Sequence, residues 1–271
     1  MIKMTDNNSP IGIFDSGFGG LTVLKAINDL NPNESTVYIG DSKRYPYGPR
    51  KADEIIKFAV EISRSLIEDY NVKMIVVACN TASAVALEEL KSLFEIPIVG
   101  VIVPGVKATM SVTKLKSVGV IGTVTTISSG AYQVEFDLKD SDIDLHALAC
   151  PGFVEFVERG DTSSDQVHVL AERLLAPFKN SPIDALLLGC THYPFLARTI
   201  SDVIGRDVVL VSSADETAFE VDRLLKEENM ASLSLEEGQR IYLSSGDPDE
   251  FAKIGRRLLG EAINKVGVWQ P

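Results

Sequence analysis

Cys79 and Cys190 each end an apolar run and open a short polar one: Val76-Val77-Ala78-Cys79-Asn80-Thr81 and Leu187-Leu188-Gly189-Cys190-Thr191-His192. Such a run reads as a buried strand. That puts each thiol at a strand's carboxyl end, where open α/β sheets build their sites. One cysteine so placed is a candidate nucleophile. Two on matching scaffolds read as a pair of thiols facing a common ligand. An opposed thiolate and thiol are what a reaction needs to take a proton from one face of a carbon and return it to the other. Cys79 also stands just before a helix start, which predicts a lowered pKa and an accessible thiolate. Asn80 and Thr81 then offer donors for a carboxylate. The plainer alternative is that both cysteines are small buried hydrophobes. Cys150, before Pro151, sits in a different pattern and is assigned to structure.

Other polar residues could join this chemistry. Asp15-Ser16-Gly17-Phe18-Gly19-Gly20 follows the first strand and opens a helix, where glycines allow close backbone approach. Thr22 stands where a dinucleotide fingerprint needs its third glycine, so that reading is excluded. The stretch is either a ligand loop or a tight turn with Asp15 or Ser16 as a helix cap. Arg44-Tyr45-Pro46-Tyr47-Gly48-Pro49-Arg50 is a loop that could close over a small ligand. Asp41 before it could orient a thiol or cap a turn. Glu155 and Glu158 lie three apart, hence on one helix face, and either could help at the second thiol. For Glu155 a solvated face is the simpler reading. His146 and His168 have no partner at metal-ligand spacing, so no metal is expected.

The elements that must position these residues alternate in type. Strands are expected at 11–14, 36–39, 74–78, 96–101, 118–121, 143–148, 185–188, 208–211 and 240–243. Helices are expected at 21–30, 53–70, 82–94, 165–178 and 217–227. Such alternation means an α/β fold with mostly parallel sheets flanked by helices. Gly12 to Gly17 before the first cysteine strand echoes Gly119 to Thr123 before the second. This internal repeat predicts two similar lobes with the active site in the cleft between them. The first lobe is expected to span residues 1–99 plus 212–271, and the second 100–211.

The 271 residues suffice for a large core, and 45% hydrophobic with 24% charged content is that of a soluble globular protein. A net charge of −12 leaves no basic stripe for nucleic acid or an anionic membrane. The first ten residues are polar, and no long apolar run follows, so a cytoplasmic location is expected. Three cysteines without a CxxC pair fit reduced thiols.

With these residues in hand, the chain resembles the glutamate racemases of the cofactor-independent Asp/Glu racemase superfamily. The resemblance rests on Gly12 to Leu21, Pro46-Tyr47-Gly48-Pro49-Arg50, Ala78-Cys79-Asn80-Thr81-Ala82-Ser83 and Gly189-Cys190-Thr191-His192-Tyr193-Pro194. It implies interconversion of L- and D-glutamate, supplying D-glutamate for peptidoglycan, without pyridoxal phosphate, metal or other cofactor. It implies that Cys79 and Cys190 are the proton-transfer pair, assisted by Asp15 and His192. Asp15, Ser16, Tyr47, Gly48, Asn80, Thr81, Thr123, Thr191 and His192 match ligand-contacting positions, and Asp41 and Glu158 are auxiliary. The expected partners are the small-molecule substrate glutamate and a second copy of the chain in a homodimer. Two other readings are an aspartate racemase, or another racemase of the superfamily, and a non-catalytic two-lobed binding protein.

Overall fold

The computed structural model describes residues 6–260, 263 and 265–271. Of the polar residues 1–10, read above as pointing to a cytoplasmic location, residues 1–5 lie outside the described residues. The first unit runs β1 (Ile11–Asp15), α1 (Leu21–Leu30), β2 (Thr36–Gly40), α2 (Ala52–Tyr70), β3 (Met74–Val77), α3 (Asn80–Leu93) and β4 (Ile98–Gly100). Then come α4 (Ile102–Val112), β5 (Ser117–Gly122), α5 (Val124–Ser128), α6 (Ala131–Lys139), β6 (Asp144–Ala149), α7 (Phe153–Glu158) and α8 (Asp165–Leu175). They are followed by β7 (Ala185–Gly189), α9 (Ala197–Ile204), β8 (Val209–Val211), α10 (Ala214–Glu227), β9 (Arg240–Ser244), α11 (Pro248–Leu259) and β10 (Val266–Val268).

The strands form two sheets, ordered β10-β9-β2-β1-β3-β4 and β6-β5-β7-β8. Every pairing is parallel. The order β2-β1-β3-β4 in the first sheet is the order β6-β5-β7-β8 of the second, so the echo between the halves is a repeat of topology. In each sheet the chain leaves the first strand to one side and returns on the other. A crevice therefore opens between β1 and β3, and another between β5 and β7, at the carboxyl ends of the strands. Cys79 follows β3 and Cys190 follows β7.

The central strands are buried on both faces, as parallel strands under crossover helices must be. Side chains alternate between two cores. Ile11 and Ile13 pack with Leu24, Ile27 and Val221, whereas Phe14 packs with Ile62, Leu66 and Leu90. Burial of each such side chain contributes about 1.5–3 kcal/mol. At the far end of the first sheet, away from the cysteines, Lys73 and Glu34 form a buried ion pair at 2.6 Å. The Lys73 ammonium also donates to the carbonyls of Asn7 and Met230, and Glu34 accepts from Ser232 N. Periodicity alone carries no sign of that pair.

Several elements differ from expectation, and α4, α5, α6, α9 and α11 lie outside the segments given above as helices. The helix expected to reach residue 178 ends at Leu175 and continues as a 3-10 turn to Asn180. Pro177 lacks the N–H an α-helix would use there. β10, which was not expected, is a three-residue edge strand pairing with β9. Among the described residues no helix is long and apolar enough to cross a membrane.

Candidate active site

Both cysteines line one cavity of about 100 Å³, the scale of a small molecule. The expected site residues Ser16, Tyr47, Gly48, Asn80, Thr81, Thr123, Thr191 and His192 line it too. Asp15, Asp41 and Glu158 do not reach the wall and act from behind it.

Cys79 is the N-cap of α3, and its sulfur accepts from Ala82 N at 3.5 Å, with Ser16 Oγ at 3.8 Å. The expected lowering of its pKa is not what results. Burial pushes the thiol up to about 12, and the Asp15 carboxylate adds to that. The Ala82 and Ser16 bonds pull down and do not compensate. Dehydration of the anion outweighs the helix terminus here, because Cys79 is only 5% exposed.

Asp15 ends β1 fully buried, and its Oδ2 accepts from Gly17 N at 3.0 Å. The cap of α1 is instead the Gly20 backbone, with no side-chain bond, so Asp15 tightens the turn and does not cap the helix. Its Oδ1 is buried without a partner among the described residues. Burial raises its pKa, opposed by the charge of His192.

On the other side, Cys190 Sγ lies 3.9 Å from His192 Nδ1, and His192 Nε2 lies 3.1 Å from Glu158 Oε1. Burial alone would lower the His192 pKa. The Cys190 and Glu158 contacts outweigh it and raise the imidazole to about 10. The imidazole therefore carries both protons at neutral pH, and Cys190 faces a cation. Of the two carboxylates on α7, Glu158 supports the thiol side, and Glu155 is exposed at the cavity rim.

The two units meet closely around the cavity. A Cβ on Gly19 would lie 2.3 Å from Thr191 Oγ1 and 2.6 Å from His192 Nδ1. The glycine turn thus makes room for side chains of the second unit. Thr81, Thr123 and Thr126 form a triangle of hydroxyls with edges of 3.0, 3.1 and 2.9 Å. Asn80 Nδ2 donates to the buried Tyr132 hydroxyl at 2.8 Å, leaving Asn80 Oδ1 without a partner. Sequence reasoning missed Tyr132 and Thr126. Thr126 lies three residues after the helix-capping Thr123, a usable signal. Tyr132 has no local one.

Asp41 is the residue read as able either to orient a thiol or to cap a turn. Its Oδ2 accepts from the Tyr47 hydroxyl at 2.5 Å and Arg44 Nε at 2.6 Å, and its Oδ1 accepts from Ser245 at 2.7 Å. It pins the 44–50 loop over the cavity. Cys150 also borders the cavity. Burial pushes its thiol up to about 12 and keeps it protonated, while its carbonyl accepts from the Tyr193 hydroxyl at 2.9 Å.

Known proteins resemble this chain in sequence and fold. A sequence model described as Asp/Glu/hydantoin racemase matches residues 11–220. The glutamate racemase of Corynebacterium diphtheriae is 45% identical over 260 residues, 96% of this chain and 97% of that protein. The crystal structure of glutamate racemase isoform RacE1 from Bacillus anthracis superposes with a TM-score of 0.92 at 38% identity, covering 98% of each chain. Glutamate racemase from Francisella tularensis in complex with D-glutamate superposes with a TM-score of 0.91 at 34% identity, covering 97% of this chain and 98% of that one. A two-thiol cavity at the matched switch points of two repeated sheets, with likeness over the whole length, has one reading: the chain belongs to the Asp/Glu/hydantoin racemase family.

Proposed function

We propose that this chain interconverts L- and D-glutamate in the cytoplasm, with Cys79 and Cys190 as the two acid–base groups, and that it supplies D-glutamate for peptidoglycan. The observation that carries the mechanism is that both thiols border one small cavity, each on its own sheet. Full-length likeness to glutamate racemases, one of them a D-glutamate complex, supports the substrate. The working lobes are residues 1–99 plus 212–271 and residues 100–211.

In one direction a thiolate takes the α-proton, and the electron pair stays on the α-carbon, delocalised into the carboxylate. The opposite thiol then gives its proton to the other face. Net charge is unchanged, and the two sulfurs have exchanged states. The resting site is asymmetric. Cys79 holds its proton to about pH 12, and Cys190 faces the protonated His192. The Cys79 side is therefore set to give a proton. Racemisation in the other sense begins after a proton has moved between the two sides. Such a well-placed acid or base supplies roughly 10²–10⁴-fold. Oriented hydroxyls of Thr81, Thr123 and Thr191 stabilise charge on the substrate carboxylate, an effect that grows as water is excluded. The unpartnered Asn80 Oδ1 accepts from the substrate ammonium. Asp15, behind the wall, tunes Cys79 and His192 through its charge.

The test is racemisation of each glutamate enantiomer in D₂O, with aspartate as the competing substrate. Deuterium should appear at the α-carbon of glutamate. Serine at position 79 or 190 should abolish racemisation, while each variant still eliminates from β-substituted analogues of one handedness only, opposite in the two. Cys150→Ser should stay active. Equal handedness in the two variants, or exchange with aspartate alone, overturns the reading.

A further inference from the structure

Tyr45 is a half-buried residue with a buried hydroxyl that the mechanism above does not use. Its ring lies 6.3 Å from the His192 ring, centroid to centroid, and it borders the cavity. Its hydroxyl is buried and has no hydrogen-bond partner among the described residues. A buried hydroxyl without a partner costs about 1–3 kcal/mol, so an orphan at this place calls for an acceptor. The surroundings identify one. Burial raises the Tyr45 pKa most, and Glu158 is the strongest of the charges that raise it further, ahead of Glu155 and Cys190. A Cβ built on Gly17 would lie 3.2 Å from Tyr45 Cδ2 and 3.9 Å from Glu158 Oε1. Ring and carboxylate thus converge over one glycine that leaves the space between them open.

We propose that Tyr45, carried by the first unit's loop, is a positioning residue that donates its hydroxyl proton to the Glu158 carboxylate across the cleft and so holds Glu158 on His192. This rests on the reading of His192 as the helper of Cys190. Glu158 sits on α7, a helix of six residues, and among the described residues its carboxylate hydrogen-bonds to the His192 side chain alone. A donor from the opposite unit fixes the second oxygen and ties the His192 pair to closure of the cleft. The charged and titratable groups acting on His192 are Cys190 and Glu158, with Asp15 behind the turn and Tyr45 across the ring face.

Tyr45→Phe keeps the ring and removes only the donor. It should lower kcat about three- to ten-fold, the loss of one hydrogen bond, with KM changed less than two-fold. The alkaline limb of the kcat profile should move to lower pH, because a less firmly held Glu158 supports the imidazolium less. On a Glu158→Gln background the same substitution should do nothing more, since the effect passes through that carboxylate. A Tyr45→Phe enzyme with wild-type kcat and pH profile overturns the proposal. So does a rise in KM alone, which would make Tyr45 a substrate contact, or an undiminished effect on the Glu158→Gln background. Glu158→Gln by itself tests the underlying reading: wild-type activity and pH profile in that variant would remove Glu158 from the mechanism, whatever Tyr45 does.

Discussion

Gly19→Ala separates stability from catalysis in this fold. The Gly19 backbone does not lie in the left-handed region, so alanine is allowed there. Restricting the unfolded chain would by itself stabilise the protein by about 0.4–1 kcal/mol. The added methyl, however, would lie 2.3 Å from Thr191 Oγ1, 2.6 Å from His192 Nδ1 and 2.8 Å from its Cε1. Ordinary contact begins near 3.4 Å, so the Thr191-His192 segment must retreat by about 1 Å. His192 is 2% exposed and held by Glu158, so it has little room. Overpacking of this kind costs about 1–3 kcal/mol, leaving a net loss of roughly 0–2.6 kcal/mol. A shift of about 1 Å at a catalytic group costs on the order of 10²-fold in rate. The variant should therefore melt within about 10 °C of wild type while kcat falls about a hundred-fold. Thermal unfolding and coupled racemisation assays in both directions measure the two. Activity within three-fold of wild type would show that the His192 position does not matter at this precision, and would refute the geometric account.

Asp15→Asn keeps the Gly17 bond and removes the charge near Cys79, so it should lower kcat more than it weakens binding of an unreactive glutamate analogue. If neither changes, Asp15 only tightens the turn. Lys73→Met leaves Glu34 buried and unpaired, which should cost about 3–5 kcal/mol and lower Tm by on the order of 10 °C without altering KM. Stability should fall as pH rises from 7 to 10. His192 binds its proton more tightly folded than unfolded, so that contribution is whole below about pH 6.5 and is lost as pH rises through about 10. Cys79, protonated up to about 12 in the fold against an ordinary 9, has the same sign over pH 9–12. A urea midpoint that is flat from pH 7 to 10, or one whose slope His192→Asn leaves unchanged, would contradict this.

Much of the architecture follows from local pattern. Apolar runs of four to six residues ending in small polar ones are what a twice-covered parallel strand requires, so β1, β3, β5 and β7 were legible, as were the two thiols at their carboxyl ends. The repeat was legible too, because the same strand chemistry recurs in the same order. Edge elements were less so: β10 has three residues and no full burial to impose a pattern.

What only the tertiary structure decided is how the electrostatics balance. A helix start argues for a thiolate at Cys79, yet the opposite outcome follows from depth of burial and from Asp15, contributed by a neighbouring strand. Asp41 lies one loop from the cavity in sequence but spends its carboxylate on Tyr47, Arg44 and Ser245, the last from the far end of the chain. Glu158 reaches His192, and Tyr132 reaches Asn80, across long separations that no periodicity encodes. Periodicity reports which face of an element is dry. The charge state of a buried group depends on how much water and which charges the rest of the chain leaves around it, and that is set only when distant segments pack.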